Sequence, residues 1–340
     1  MGDTGKTSEE INSVCEVRSN GYVVSALAVL GLAAAALPVA AQTYPVRPIR
    51  IIVPFAAGGS SYIIARMIGQ KFTESWGQPT IIDNRAGGGS TIGTDLVAKA
   101  SPDGYTLLLQ TIAFAINASL QKKLPYDPMK DFAPVTQISA LPLVLVVHPS
   151  LPVTTVKELV ALAKARPGQI SYASSGSGTS PHIAAEMLKS MAQIDVIHIP
   201  YKGNAPAMTD LLGGHVTVNV GLLPVVLPYV NAGKLRALAV TTAQRVAALP
   251  QLPTLQESGF PDYEINSWQG VFAPARTPAD VVTKLNREIV RILASPDVRQ
   301  RLMSEGAEPI GSAPGQFDAY VNAEIAKWAK VVKESGAQAD

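Results

Sequence analysis

Three stretches place glycine and serine together where a short apolar run gives way to a helical pattern. They are Ala57-Gly58-Gly59-Ser60-Ser61, Ala86-Gly87-Gly88-Gly89-Ser90-Thr91 and Ser175-Gly176-Ser177-Gly178-Thr179. Glycine lets a backbone approach a ligand closely, and the start of a helix leaves N–H donors without intrahelical acceptors. The helix end adds about half a positive charge, so an anion settles there. Two such turns facing across a cleft hold a carboxylate without any Lys or Arg. The same turns also serve simply as turns and caps, and Ser60 or Ser61 reads as an N-cap. The 86–91 turn is the weakest of the three, because no flanking donor singles it out.

Catalytic patterns fare poorly. Ser60 and Ser177 lie beside glycines, but neither has the G-x-S-x-G spacing of a nucleophile elbow. A phosphate loop, an H-E-x-x-H pair and a dinucleotide fingerprint after a strand are all missing from the sequence. His182 follows Thr179 by one helical turn with no nucleophile in evidence, which suits a packing or orienting residue better than a base. Arg66 reads as half of a surface or interlobe ion pair, and Trp268 as a hinge or core residue large enough to wall a pocket.

The elements that position these turns alternate. Arg50–Phe55 is a β-branched run typical of a buried strand, followed by Ile63, Ile64, Met67, Ile68 and Phe72 at helical spacing. Strand, Gly/Ser turn and helix recur at 80–100 and again at 169–191, which predicts mostly parallel sheets covered by helices. The pattern restarts after residue 143, and the last 70 or so residues (about two-thirds of a small domain) are helical. They are expected to return to the first half. The chain then crosses between two α/β lobes twice, near 139–142 and 264–268, making a two-strand hinge.

Composition narrows the classes further. The 340 residues are 47% hydrophobic and 16% charged, with 28 basic and 26 acidic residues and no basic block, which excludes the footprint of a nucleic-acid binder. One cysteine and four histidines exclude a disulfide framework within the chain and leave little for a metal centre, so neither metal nor cofactor is expected. Residues 19–46 carry no charge, and the Val23–Leu37 run ends in Pro38 and small residues. This reads as a secretory signal peptide, residues 1–41, cleaved before Gln42; an uncut membrane anchor is the alternative. Residues 1–18 form a long acidic n-region, which a start codon placed too early would explain. Removing two basic and four acidic residues leaves 26 against 22, a net charge of +4.

The remaining chain resembles the extracytoplasmic receptors of tripartite tricarboxylate transporters, the Bug receptor family. The matching stretches are VPFAAGGS (53–60), NRAGGG (84–89), SPDGYTLLL (101–109), LPYDPMKDFAPVT (124–136), YASSGSGTSPH (172–182), IPYKGNAPAMTDLLGG (199–214), GKLRALAVTT (233–242), LPQLPTLQESGFPDYE (249–264) and APARTP (273–278). The resemblance implies an α/β protein of two lobes of the periplasmic-binding-protein type. Each lobe is a mixed, mostly parallel sheet flanked by helices, with a two-strand hinge between them. Lobe I would comprise 44–141 plus 268–340, and lobe II 142–267. It further implies a periplasmic, monomeric, non-enzymatic receptor that closes on a small organic acid and delivers it to membrane permease subunits. The implied ligand loops are Phe55, Ala57, Gly58, Gly59, Ser60 and Ser61 on one side, with Tyr62 beyond them. On the other are Ser175, Gly176, Ser177, Gly178 and Thr179, with His182 behind, and then Tyr201, Lys202, Gly203 and Asn204.

The chain departs from the family pattern where relatives often carry an acidic residue: it has Tyr62 after the Gly-Gly pair, Thr217, and Gly221. Losing those carboxylates disfavours a ligand with an ammonium group. Tyr62 either offers its ring or hydroxyl to a di-, tricarboxylate or aromatic acid, or points away along its helix. Two other functions stay open: a sensory subunit read by a membrane kinase, which shares the pocket and differs in partner, and an exported hydrolase.

Overall fold

A computed structural model describes residues 1–2, 44–304, 306–335 and 337–338. The signal peptide expected at 1–41 lies outside the described residues apart from Met1 and Gly2. From Pro45 onward the chain forms one contact-rich unit.

The order is β1 (Ile49–Val53), α1 (Ser60–Trp76), β2 (Thr80–Asn84), α2 (Thr91–Ala98), β3 (Thr106–Thr111), α3 (Ala113–Leu120) and the long β4 (Phe132–Val147). There follow α4 (Val156–Ala165), β5 (Ser171–Ser174), α5 (Ser180–Ala192), β6 (Ile197–Pro200), α6 (Asn204–Leu212), β7 (Val218–Leu222), α7 (Leu223–Asn231) and β8 (Arg236–Val240). The chain returns through β9 (Asn266–Pro274), α8 (Ala279–Ala294), α9 (Pro296–Ser304), the short β10 (Glu308–Pro309) and α10 (Pro314–Ser335). Among the described residues, no helix is long and apolar enough to cross a membrane.

Two mixed sheets share β4. In the first, β2, β1 and β3 run parallel, and β9, β4 and β10 extend them antiparallel. In the second, β6, β5 and β7 run parallel, and β4 lies antiparallel between β7 and β8. Residues Phe132–Pro142 of β4 pair with β9, whereas Leu143–Val147 pair with β7 and β8. The ladder changes partners at Pro142, which has no N–H to donate. Two register shifts in the first half of β4 let the strand bend toward the second sheet.

β1, inside the parallel part of the first sheet, is buried on both faces and so reads as a continuous Ile/Val run rather than an alternating one. Under the first sheet, Phe114 stacks on Phe272 at 4.7 Å and meets Phe132 edge-on at 5.1 Å. Phe317 of α10 lies against Gly270 of β9, where any side chain would collide with its ring. Trp268 is fully buried core, as is Trp328, and both indole N–H groups donate to the Glu324 carboxylate, at 3.0 and 2.8 Å. The C-terminal helix is thereby tied to β9, which answers why the last segment returns to the first sheet. A separate core of Val144, Val146, Ala173, Met208, Leu211 and Val226 fills the second sheet.

Candidate ligand-binding site

Five helices begin around one small cavity. It is bounded by Phe55, Gly59, Ser60, Ser61 and Tyr62, by Thr111, by Ser175, Thr179 and Ser180, by Asn204, by Leu222 and by Ser267, and leaves room of about 20 Å³. Gly59 is the N-cap of α1, Thr179 that of α5 and Leu222 that of α7; Asn204 opens α6, and Thr111 precedes the N-cap of α3. Each start brings first-turn N–H groups without intrahelical acceptors and about half a positive charge. Among the described residues, no Lys, Arg, His, Asp or Glu borders the cavity. The sequence pointed to paired corners; the structure brings five together.

The α1 cap differs from expectation. Ser60 and Ser61 lie inside the helix, Gly59 takes the cap position in an extended conformation, and no side chain caps the end. The reason is an outside partner for the serines: the Gln269 amide on β9 donates to Ser60 Oγ at 3.2 Å and Ser61 Oγ at 3.3 Å. Because both oxygens accept from Gln269, their own protons remain for an acceptor in the cavity. Ser180 Oγ donates to Ser267 Oγ at 3.2 Å, leaving the Ser267 proton for the same use. Thr179 differs, since its hydroxyl donates to Gly176 O at 2.6 Å. The cavity is therefore rich in donors and carries no fixed charge, which matches a carboxylate and leaves an ammonium without a counter-charge.

Its walls come from both sheets, and they touch. Ala56 N–H donates to Lys202 O at 2.9 Å. At Gly203 (φ 140°) a Cβ would stand 3.0 Å from Ala56 N, so only glycine permits this approach. Gly89 (φ 59°) packs its backbone on Ser177 O, and the Gly89 carbonyl accepts from Asn117 Nδ2 at 2.7 Å. The weakest of the three turns thus seals the interface between the sheets rather than lining the cavity.

Other expected site residues serve the walls from behind. Gly176 and Ser177 form the Gly89 contact, and Ala57 and Gly58 are exposed beyond the rim. Fully buried His182 accepts from Gly178 N–H at Nδ1 (3.1 Å) and stacks on His198 at 4.3 Å, bracing the 175–179 loop. Tyr201 turns its hydroxyl to Asp210 at 2.6 Å. Burial and that bond push Tyr201 up to about 12, and the same bond holds Asp210 below the usual carboxylate range. Arg66 is no ion-pair partner in the described contacts: it donates to the Tyr62 hydroxyl at 3.0 Å, and this bond raises the guanidinium further. Thr217 precedes β7 with its hydroxyl toward Ser171 O, away from the cavity. Gly221 is buried between Asn219 and Val226 with no room for an acidic side chain.

Thr111, Ser180, Leu222 and Ser267 went unrecognised in the sequence. Pro181 and Pro224, each in the first turn of a helix, were the available signals for two of them.

A model of the tripartite tricarboxylate transporter family receptor matches residues 64–337. The chain belongs to this receptor family. It is 40% identical over 318 residues to protein BugT of Bordetella pertussis, covering 92% of this chain and 98% of that one. The structure of Rpa4515 of R. palustris with adipate superposes with a TM-score of 0.84 at 40% identity, covering 87% of this chain and all of the other. MatC of Rhodopseudomonas palustris with bound malate gives 0.82 at 32% identity, over 85% of this chain and all of that one. As a member of this receptor family, the chain has the mixed α/β fold of periplasmic binding proteins.

Proposed function

We propose that this protein is a non-enzymatic periplasmic receptor that captures a small organic acid and hands it to the permease subunits of a tripartite tricarboxylate-type transporter. The two lobes, 44–141 with 268–340 and 142–267, close over the acid by bending at β4 and at the return into β9. The carrying observation is the uncharged, donor-lined cavity at five helix starts. Relatives solved with adipate and with malate support a carboxylate. A micromolar receptor needs about −8 kcal/mol. Each charge-assisted hydrogen bond contributes roughly 1.5–3 kcal/mol net, so three or four of them plus a dry wall suffice after ordering costs.

The ligand class follows from what the cavity lacks. Among the described residues no acidic side chain borders it, so aspartate and glutamate bind poorly and di-, tricarboxylates or aromatic acids bind well. A thermal-shift panel of these four classes checks this, because a ligand of the native state raises the melting temperature by mass action. An amino acid giving the largest shift contradicts the preference, and no shift with any acid contradicts the receptor reading.

A further inference from the structure

Tyr62 borders both the cavity and a larger groove that runs along the outside of α1. That outer groove offers about 720 Å³, against about 20 Å³ within, and runs along α1 past Arg66 and Thr73 to Ile82 and Arg301. Of the first residues of α1 at the cavity, Ser60, Ser61 and the half-buried Tyr62, the last also lines the outer groove. The ring is held in place. Arg66, one turn further along α1, donates to the Tyr62 hydroxyl at 3.0 Å, with its guanidinium 5.7 Å from the ring centroid. On the cavity side of Tyr62 there is no formal charge; on the far side there is an exposed cation.

We infer that Tyr62, latched by Arg66, is the length stop of the pocket: it restricts this receptor to short acids and shuts off a groove in which Arg66 would meet a distal carboxylate. The inference rests on the carboxylate-receptor reading. An acid anchored at the helix starts extends until its chain meets the Tyr62 ring. Remove the ring, and a longer chain passes into the groove, where the freed guanidinium pairs with the second carboxylate.

Calorimetric titration with straight-chain dicarboxylates from succinate to sebacate tests this on the wild type, Tyr62→Ala, Tyr62→Leu, Tyr62→Phe and Tyr62→Ala with Arg66→Gln. The wild type is expected to lose affinity as the chain lengthens. Tyr62→Ala, and to a lesser degree Tyr62→Leu, should gain about tenfold on the longer acids, the worth of two buried methylenes. Tyr62→Phe keeps the ring and should keep the wild-type length profile. The double variant should lose the gain for long diacids but keep it for monocarboxylates of equal length. If Tyr62→Ala and Tyr62→Leu bind short acids and show the wild-type length profile, the length stop is wrong while the receptor reading stands. If no protein in the set binds any acid, both fail together.

Discussion

Gln269 shows how much one buried side chain decides at this site. It lies on β9, fully enclosed, and its amide donates to both serines of the α1 start. It never borders the cavity, yet it turns two hydroxyl protons toward it. Its own Oε1 has no partner, so burial of the amide already carries a cost. Gln269→Leu should therefore leave the unliganded melting temperature nearly unchanged while weakening acid binding by roughly tenfold, the worth of one or two hydrogen bonds. Calorimetry beside a melting curve separates the two effects; unchanged affinity would remove the serine hydroxyls from the binding account. The sequence announced the serines through their glycine neighbours, but nothing in Asn266-Ser267-Trp268-Gln269 announced their orienter. Its role exists only because β9 returns beside β3 and lays these residues against α1.

At the scale of elements, helix starts make the site, so whatever fixes the helices fixes the site. α1 is pinned near its far end by Lys71, which meets Asp297 of α9 at 2.8 Å. The Lys71 ammonium, aided by Ser295, holds the Asp297 carboxyl down at about 2. A carboxylate depressed in the folded state stabilises fully above its ordinary value near 3.8, and the contribution disappears as pH falls through about 2. The difference in melting temperature between wild type and Asp297→Asn should thus be constant above about pH 5 and shrink toward zero between about pH 4 and pH 2. A difference that grows on acidification would show that Asp297 is not stabilised by this pair. Both groups are largely exposed, so the effect is small and salt-sensitive.

Elements also mark where the sequence was legible. The strands and helices flanking the glycine turns stood out because a short β-branched apolar run gives way at the turn to apolar residues at helical spacing. Helices α3 and α7 did not. The first is buried nearly all round and shows no polar face, and the second carries Pro228 inside it. Yet each supplies a helix start to the cavity. The early half of β4 and all of β9 escaped as well, since prolines and polar residues mask strands whose pairing is long-range.

For the molecule as a whole, the decisive arrangement is the contact between two sheets that share one strand. Lys202 O accepts from Ala56 N–H and Ser177 O packs on Gly89, joining the two sheets beside the cavity; on the proposed reading these contacts part to admit the ligand. With them in place the helix starts and serine hydroxyls face a cavity that no cation borders among the described residues, the preorganised, positively polarised space that the proposal assigns to an acid. On the proposed reading such a site selects for negative charge, with ligand length set separately at Tyr62. The most direct test titrates adipate and its uncharged diamide, adipamide, into the same protein preparation by calorimetry. Adipate is predicted to bind in the micromolar range or tighter, at about −8 kcal/mol or better, with adipamide giving no measurable heat of binding. Equal affinity for the two, or binding of the diamide alone, would contradict anion capture by helix starts.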